Sequence, residues 1–295
     1  MSKLPDIIPP MAVSQKELTF FAPPKPLSPK AVTSDWKTFL GPTHNGYSPE
    51  TRLLKTFGPK GPAKVWEVSR GQGYASAAVI GNKVIIFHRT ANQEIVECLQ
   101  AETGKRYWKY EYDSNYSDRY GFGNGPRCQP VSDGQFVYTL GVQARLHCLE
   151  LKTGRILWQR DLKKEFDLTL DFFGVGGTPL LEGEKLIINL GAPGGPSVAA
   201  FDKRTGKLIW GAGDQWGPSY ASPIAADTRA GRKVFVFAGG ESRPAIGGLM
   251  VIDPETGHLD FSYPWRGKRY ESVNASSPVV VDNKVDISEC YGAGG

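Results

Sequence analysis

Four stretches of this chain mix glycine with aromatic side chains. They are Gly71–Tyr74, Tyr120–Arg127, Phe172–Gly177 and Trp216–Tyr220; a fifth, Ser272–Asn274, is short and polar. Planar rings stack against flat ligands, and guanidinium groups pair with carboxylates or phosphates. On this reading Tyr74 and Tyr220 are walls, Arg119 and Arg127 are anion clamps, and Asn274 completes the set. The competing reading is a series of turns holding packed aromatics.

Other chemistries fail their context. Gly121-Phe122-Gly123-Asn124-Gly125 has no helix after it, so it is no dinucleotide fingerprint. His44, His88, His147 and His258 are scattered, and His147-Cys148 has no partner at zinc-like spacing. Asp167, Asp171 and Asp214 lie near the loops but read as solvated turn residues. No Ser/His/Asp nucleophile set is legible. The chain yields no catalytic or metal-binding residue.

The elements that must position these loops follow from composition and repeats. The chain has 295 residues with 35 Gly and 22 Pro. That is well above the usual ~12% for the two together, and it favours short strands and tight turns over helices. The net charge of +5 is too weak to imply nucleic acid. No 18-residue apolar run is present, so no membrane span is expected.

Thr-Gly followed by an aromatic residue occurs four times, ending at Trp108, Trp158, Trp210 and Phe261. Each copy follows a strand-like segment, as at Cys98-Leu99 and Ala200-Phe201-Asp202. The glycine suits a hairpin residue with positive φ. The aromatic suits packing between neighbouring units. Upstream of each copy lie two more short strands joined by turn residues, such as Asp133-Gly134. Four strands per repeat of about fifty residues is the blade of a β-propeller. The fold class is all-β: about four full blades, with a partial one at each end. Cys98 and Cys148 hold equivalent positions in adjacent blades and are expected to be free, buried thiols, too far apart to bridge.

These residues resemble the PQQ-type repeat of the quinoprotein dehydrogenase superfamily, whose docking motif runs Ala-x-Asp-x-x-Thr-Gly-x-x-x-Trp. Ala200-Phe201-Asp202-Lys203-Arg204-Thr205-Gly206-Lys207-Leu208-Ile209-Trp210 is the closest copy; Cys98, Cys148, Gln100, Glu150 and Phe261 depart from it. The resemblance covers residues 35–295. It implies a propeller of seven or eight blades, of which this chain would be a truncated part. It also implies a ligand site at one mouth of the central channel, formed by the five loops above. PQQ with Ca²⁺ is the cofactor implied by the resemblance, although many members bind no quinone. The superfamily's carboxylate ligands, base and adjacent cysteines cannot be matched to residues here.

Residues 1–34 hold seven prolines and read as an extended or disordered leader or linker. Trp66 reads as the fourth strand of a blade whose first three strands do not precede it. The resemblance implies a periplasmic or cell-envelope location, while no signal peptide is legible. Two functions are expected. The first is a scaffold that binds a protein partner or a small molecule at the mouth. The alternative is a PQQ-dependent oxidoreductase acting on an alcohol or sugar.

Overall fold

The computed structural model describes residues 18–170, 172–242, 244–269 and 273–295. Pro5, Pro9 and Pro10 of the leader, Asp171 and Ser272 lie outside the described residues.

Four four-stranded antiparallel sheets follow one another along the chain. Blade 1 is β3 (Ala78–Ile80), β4 (Lys83–Thr90), β5 (Gln93–Gln100) and β6 (Arg106–Asp113). Blade 2 is β7 (Val131–Ser132), β8 (Phe136–Leu140), β9 (Arg145–Glu150) and β10 (Ile156–Asp161), followed by the short helix α1 (Leu162–Glu165). Blade 3 is β11 (Leu180–Glu182), β12 (Lys185–Asn189), β13 (Val198–Asp202) and β14 (Leu208–Ala212). Blade 4 is β15 (Ile224–Thr228), β16 (Gly231–Ser242), β17 (Ala245–Ile252) and β18 (Leu259–Pro264). In every blade the strands pair in chain order, as blades of a propeller do. Two-stranded sheets flank them: β1 (Leu18–Phe20) with β2 (Trp66–Val68), and β19 (Val279–Val281) with β20 (Lys284–Asp286). Among the described residues the two flanking sheets do not pair with each other.

Strand β1 refines the reading of the leader. Within residues 1–34, Leu18–Phe20 forms a strand, and Phe20 sits opposite Trp66. Trp66 therefore has a pairing strand drawn from the segment read as extended or disordered.

The Thr-Gly repeat explains how blades are joined. Each docking tryptophan donates its indole N–H to a carbonyl three residues before the glycine of the next blade. Trp66 reaches Ala101 O (2.8 Å), Trp108 reaches Leu151 O (2.9 Å), Trp158 reaches Lys203 O (3.1 Å) and Trp210 reaches Pro254 O (3.1 Å). The indole then lies against the glycine itself. At Gly154, φ is +73° and an added Cβ would fall 2.5 Å from Trp108 Cδ2. Glycine is thus required twice, by backbone conformation and by the ring.

The apolar core lies between blades. Val96, Cys98 and Trp108 of blade 1 pack with Val137 and Leu149 of blade 2. Val198, Ala200 and Trp210 of blade 3 pack with Val234, Val236 and Met250 of blade 4. Sandwiched blades bury both faces, so Lys185–Asn189 is buried at every position. Cys98, Cys128 and Cys148 are free, buried thiols, and burial pushes Cys98 and Cys148 up to about 12.

A belt of polar contacts runs around the innermost strands. Ser76 Oγ donates to Gln129 Oε1 (2.8 Å) and Gln129 N to Thr178 Oγ1 (3.0 Å). Thr178 N donates to Ser222 Oγ (2.9 Å), and Ser222 N to Ser277 Oγ (3.1 Å). Four of these residues immediately precede Pro130, Pro179, Pro223 and Pro278. Thr178→Val keeps the shape but removes the acceptor from the buried Gln129 N–H. We expect a loss of about 1–3 kcal/mol in urea unfolding, the cost of a buried unpaired donor.

Candidate functional site

The loops leading into the first strands of blades 1 to 4 lie on the same side of the blades, opposite the Thr-Gly turns. Their rings form a continuous ridge. Tyr74 donates its hydroxyl to Phe122 O. The rings of Phe122 and Phe173 are 5.7 Å apart at their centroids, Tyr120 and Phe172 5.6 Å, and Phe173 and Tyr220 5.5 Å. Tyr220 is fixed by the Phe173 amide, which donates to its hydroxyl at 3.0 Å. Tyr74 is 63% exposed, Tyr120 46% and Phe122 59%, so the ridge faces solvent.

Asp118 organises the middle of this ridge. Its side chain is fully buried and pairs with Arg127 (Nη2–Oδ2, 2.8 Å). Its Oδ1 accepts the amides of Tyr120 and Phe122, both at 3.0 Å. Arg127 also donates to Gly125 O (3.0 Å) and Gly123 O (3.2 Å), and lies over the rings of Tyr74 and Tyr116. Arg89, itself buried, donates to Tyr116 O (2.6 Å) and Asn124 O (3.0 Å) from below. Gly125 is needed because a Cβ there would fall 2.0 Å from Gln72 O. The Gly-rich loop is therefore built around an internal ion pair.

The five sequence-predicted residues are thus divided. Tyr74 and Tyr220 stand at the two ends of the ridge. Arg127 is turned inward to hold the loop, while Arg119 is exposed on the same loop. Asn274 is buried: its carbonyl accepts the Tyr220 and Ala221 amides, both at 3.1 Å, and its Nδ2 faces Phe237 O. It supports the ridge from below. Asp118 was missed because it stands two residues ahead of the glycine-rich stretch. An Asp at the head of such a loop, free to accept successive amides, is the signal that marks it.

Glu94 lies at the blade 1–blade 2 junction, accepting the Tyr112 hydroxyl (2.5 Å) and the Val142 amide (3.1 Å). Burial holds its carboxyl above the ordinary value of 4.5, against the downward pull of these donors and of Arg89 and Arg145. The folded chain therefore keeps a proton that the unfolded chain releases, and stability falls as pH rises above the ordinary carboxylate range. Glu94→Gln should flatten that slope while leaving stability at low pH nearly unchanged, as read by urea midpoints across pH.

Trp-docked, four-stranded antiparallel blades in series define a quinoprotein-like repeat propeller. Residues 57–294 match the family model described as outer membrane protein assembly factor BamB, and the chain belongs to that PQQ-repeat family. The dehydrogenase subunit of a quinone alcohol dehydrogenase from Gluconobacter oxydans (strain 621H) is 32% identical over 157 residues, 49% of this chain and 20% of that protein. Quinoprotein ethanol dehydrogenase of Pseudomonas aeruginosa is 29% identical over 46% of this chain and 22% of that protein. These alignments thus span about a fifth of each relative. Among solved structures, BamB from Moraxella catarrhalis aligns with a TM-score of 0.52 and 19% identity, covering 78% of this chain and 64% of that one. Quinohemoprotein alcohol dehydrogenase from Comamonas testosteroni aligns with a TM-score of 0.53 and 16% identity, covering 75% and 40%. Both likenesses are of fold. Among the described residues no helix is long and apolar enough to cross a membrane.

The residues at the mouth do not fit a quinone with its calcium. Asn274 is buried beneath the loops, and the Asp118 carboxylate and Arg127 guanidinium are committed to each other and to the loop backbone.

Proposed function

We propose that this chain is a binding propeller of the cell envelope that docks a partner on the aromatic ridge at its mouth. The observation that carries the reading is the ring series from Tyr74 through Phe122 and Phe173 to Tyr220, exposed at Tyr74, Tyr120 and Phe122 and half-buried at Phe173 and Tyr220, with its central loop held by the Asp118–Arg127 pair. Exposed, pre-ordered aromatics supply contact area at low entropic cost and are favoured at recognition surfaces. The family's BamB description supports a protein partner. The second reading, a PQQ-dependent alcohol or sugar oxidoreductase, draws on the quinone-dependent relatives. Calorimetric titration with PQQ and Ca²⁺, followed by dye-linked alcohol oxidation, separates the two. The binding reading expects neither saturable heat nor turnover. Saturable quinone binding with turnover would replace it by the second.

A further inference from the structure

A cavity lies between blades 2 and 3, beside the loop that carries Phe172 and Phe173. Its walls include Leu140 at the end of β8, Leu162 of α1, Leu168 and Val175 of the connecting loop, and Ile188 of β12. It holds about 460 Å³ of empty space counted out to its open side, and little of that is closed off all round. Among the described residues that line it, none is charged. One polar atom there has no partner. Asn189, the last residue of β12, lines the cavity and is 5% exposed. Its Nδ2 donates to Ser219 Oγ (2.6 Å), Phe237 O (3.3 Å) and Ala221 O (3.4 Å). Two of these acceptors are main-chain carbonyls, so the amide nitrogen belongs on that side and Oδ1 on the other. Oδ1 is buried and accepts no hydrogen bond. The neighbouring hydroxyls are engaged: Ser219 Oγ donates to Phe237 O (2.6 Å), and the Tyr220 hydroxyl accepts the Phe173 amide (3.0 Å). Thr169 is exposed, at the open side.

A buried acceptor without a donor is uncommon in a native fold and calls for a partner. The apolar walls ask for an apolar body, and the single free acceptor asks for one donor. A cation would also satisfy Oδ1, but no carboxylate among the described lining residues offsets the cost of burying its charge. Apolar walls with a few placed polar groups are the usual make of small-molecule sites. We propose that this cavity binds a small, uncharged, mainly apolar molecule that donates one N–H or O–H to Asn189 Oδ1. The site goes beyond the ridge reading and stands without it, although Tyr220 borders both.

The test compares pyrrole with furan, rings of nearly equal size of which only pyrrole carries an N–H. Each is titrated into the full chain with labelled methyl groups and followed by NMR. Pyrrole should shift the methyl signals of Leu168, Val175 and Ile188 saturably, together with the side-chain amide of Asn189. Furan should bind at the same place about three- to tenfold more weakly, the range for one neutral hydrogen bond. The probes differ at one group, so the comparison needs no altered chain and no variant that must fold. Thr169→Trp, a change at an exposed position, should obstruct the open side and weaken pyrrole binding by about tenfold or more. Absence of saturable shifts at the cavity would overturn the proposal. Equal affinities for the two rings would overturn it too, since Oδ1 would then be satisfied by water and not by the ligand. Unchanged pyrrole binding by Thr169→Trp would place the probe elsewhere, with the same consequence. None of these readouts depends on the exposed rings of the ridge, so the ridge reading stands or falls separately.

Discussion

Trp108→Ala is expected to lower the unfolding free energy by about 3–5 kcal/mol, the range for deleting a large buried aromatic. The indole is buried between blades 1 and 2, lies on Gly154 and donates to Leu151 O. Its loss opens a cavity in the layer that also holds Cys98, Val137 and Leu149. At this size each kcal/mol shifts the midpoint of thermal unfolding by about 2–4 °C, so the variant should melt roughly 6–20 °C lower. Phe261 holds the same repeat position in blade 4 but is 52% exposed. Phe261→Ala should therefore cost under about 1 kcal/mol, as surface substitutions usually do. Urea unfolding followed by circular dichroism measures both. Equal losses at the two positions would show that docking against the next blade is not what stabilises the repeat.

The second large effect is expected at Asp118. Asp118→Ala leaves the Arg127 guanidinium, itself mostly buried, without its carboxylate, and removes the acceptor from the Tyr120 and Phe122 amides. Breaking one side of a buried ion pair typically costs about 3–5 kcal/mol. Because the pair closes a loop, the damage should be concentrated there. Amide hydrogen exchange at residues 118–127 should accelerate sharply, while the strands of blades 3 and 4 keep their protection. Ridge binding should fall with it, although Asp118 lies beneath the exposed rings. A variant that binds normally with an unprotected loop would show that loop order is irrelevant to recognition.

The repeat was legible because its chemistry is local. Thr-Gly and the aromatic four residues beyond the glycine sit on one hairpin, and both backbone conformation and ring packing demand them. The same logic predicted Trp66 as an outer strand. Its partner β1 was hidden, because a three-residue strand among prolines gives no period to read. Tyr74 and Tyr220 were recognisable as ridge members from their Gly-rich loops. Asp118 and the role of Arg127 were not, since a bond across nine residues of loop leaves no periodic trace. Asn274 and the Ser76–Ser277 belt were obscured for a related reason. Their partners lie one blade away, about fifty residues along the chain, and become neighbours only when the blades stack.

The aromatic mouth, proposed above as a docking surface, can be probed in place. The most direct measurement places a photoreactive amino acid at position 122 of the full chain, and in a parallel sample at Leu208, which is also exposed but lies on an outer strand. Both are irradiated in the native cell and the adducts are resolved by mass. Discrete adducts are expected from position 122, lost in the Asp118→Ala background, and none from position 208. Adducts of equal yield at both positions, or at position 208 alone, would contradict it.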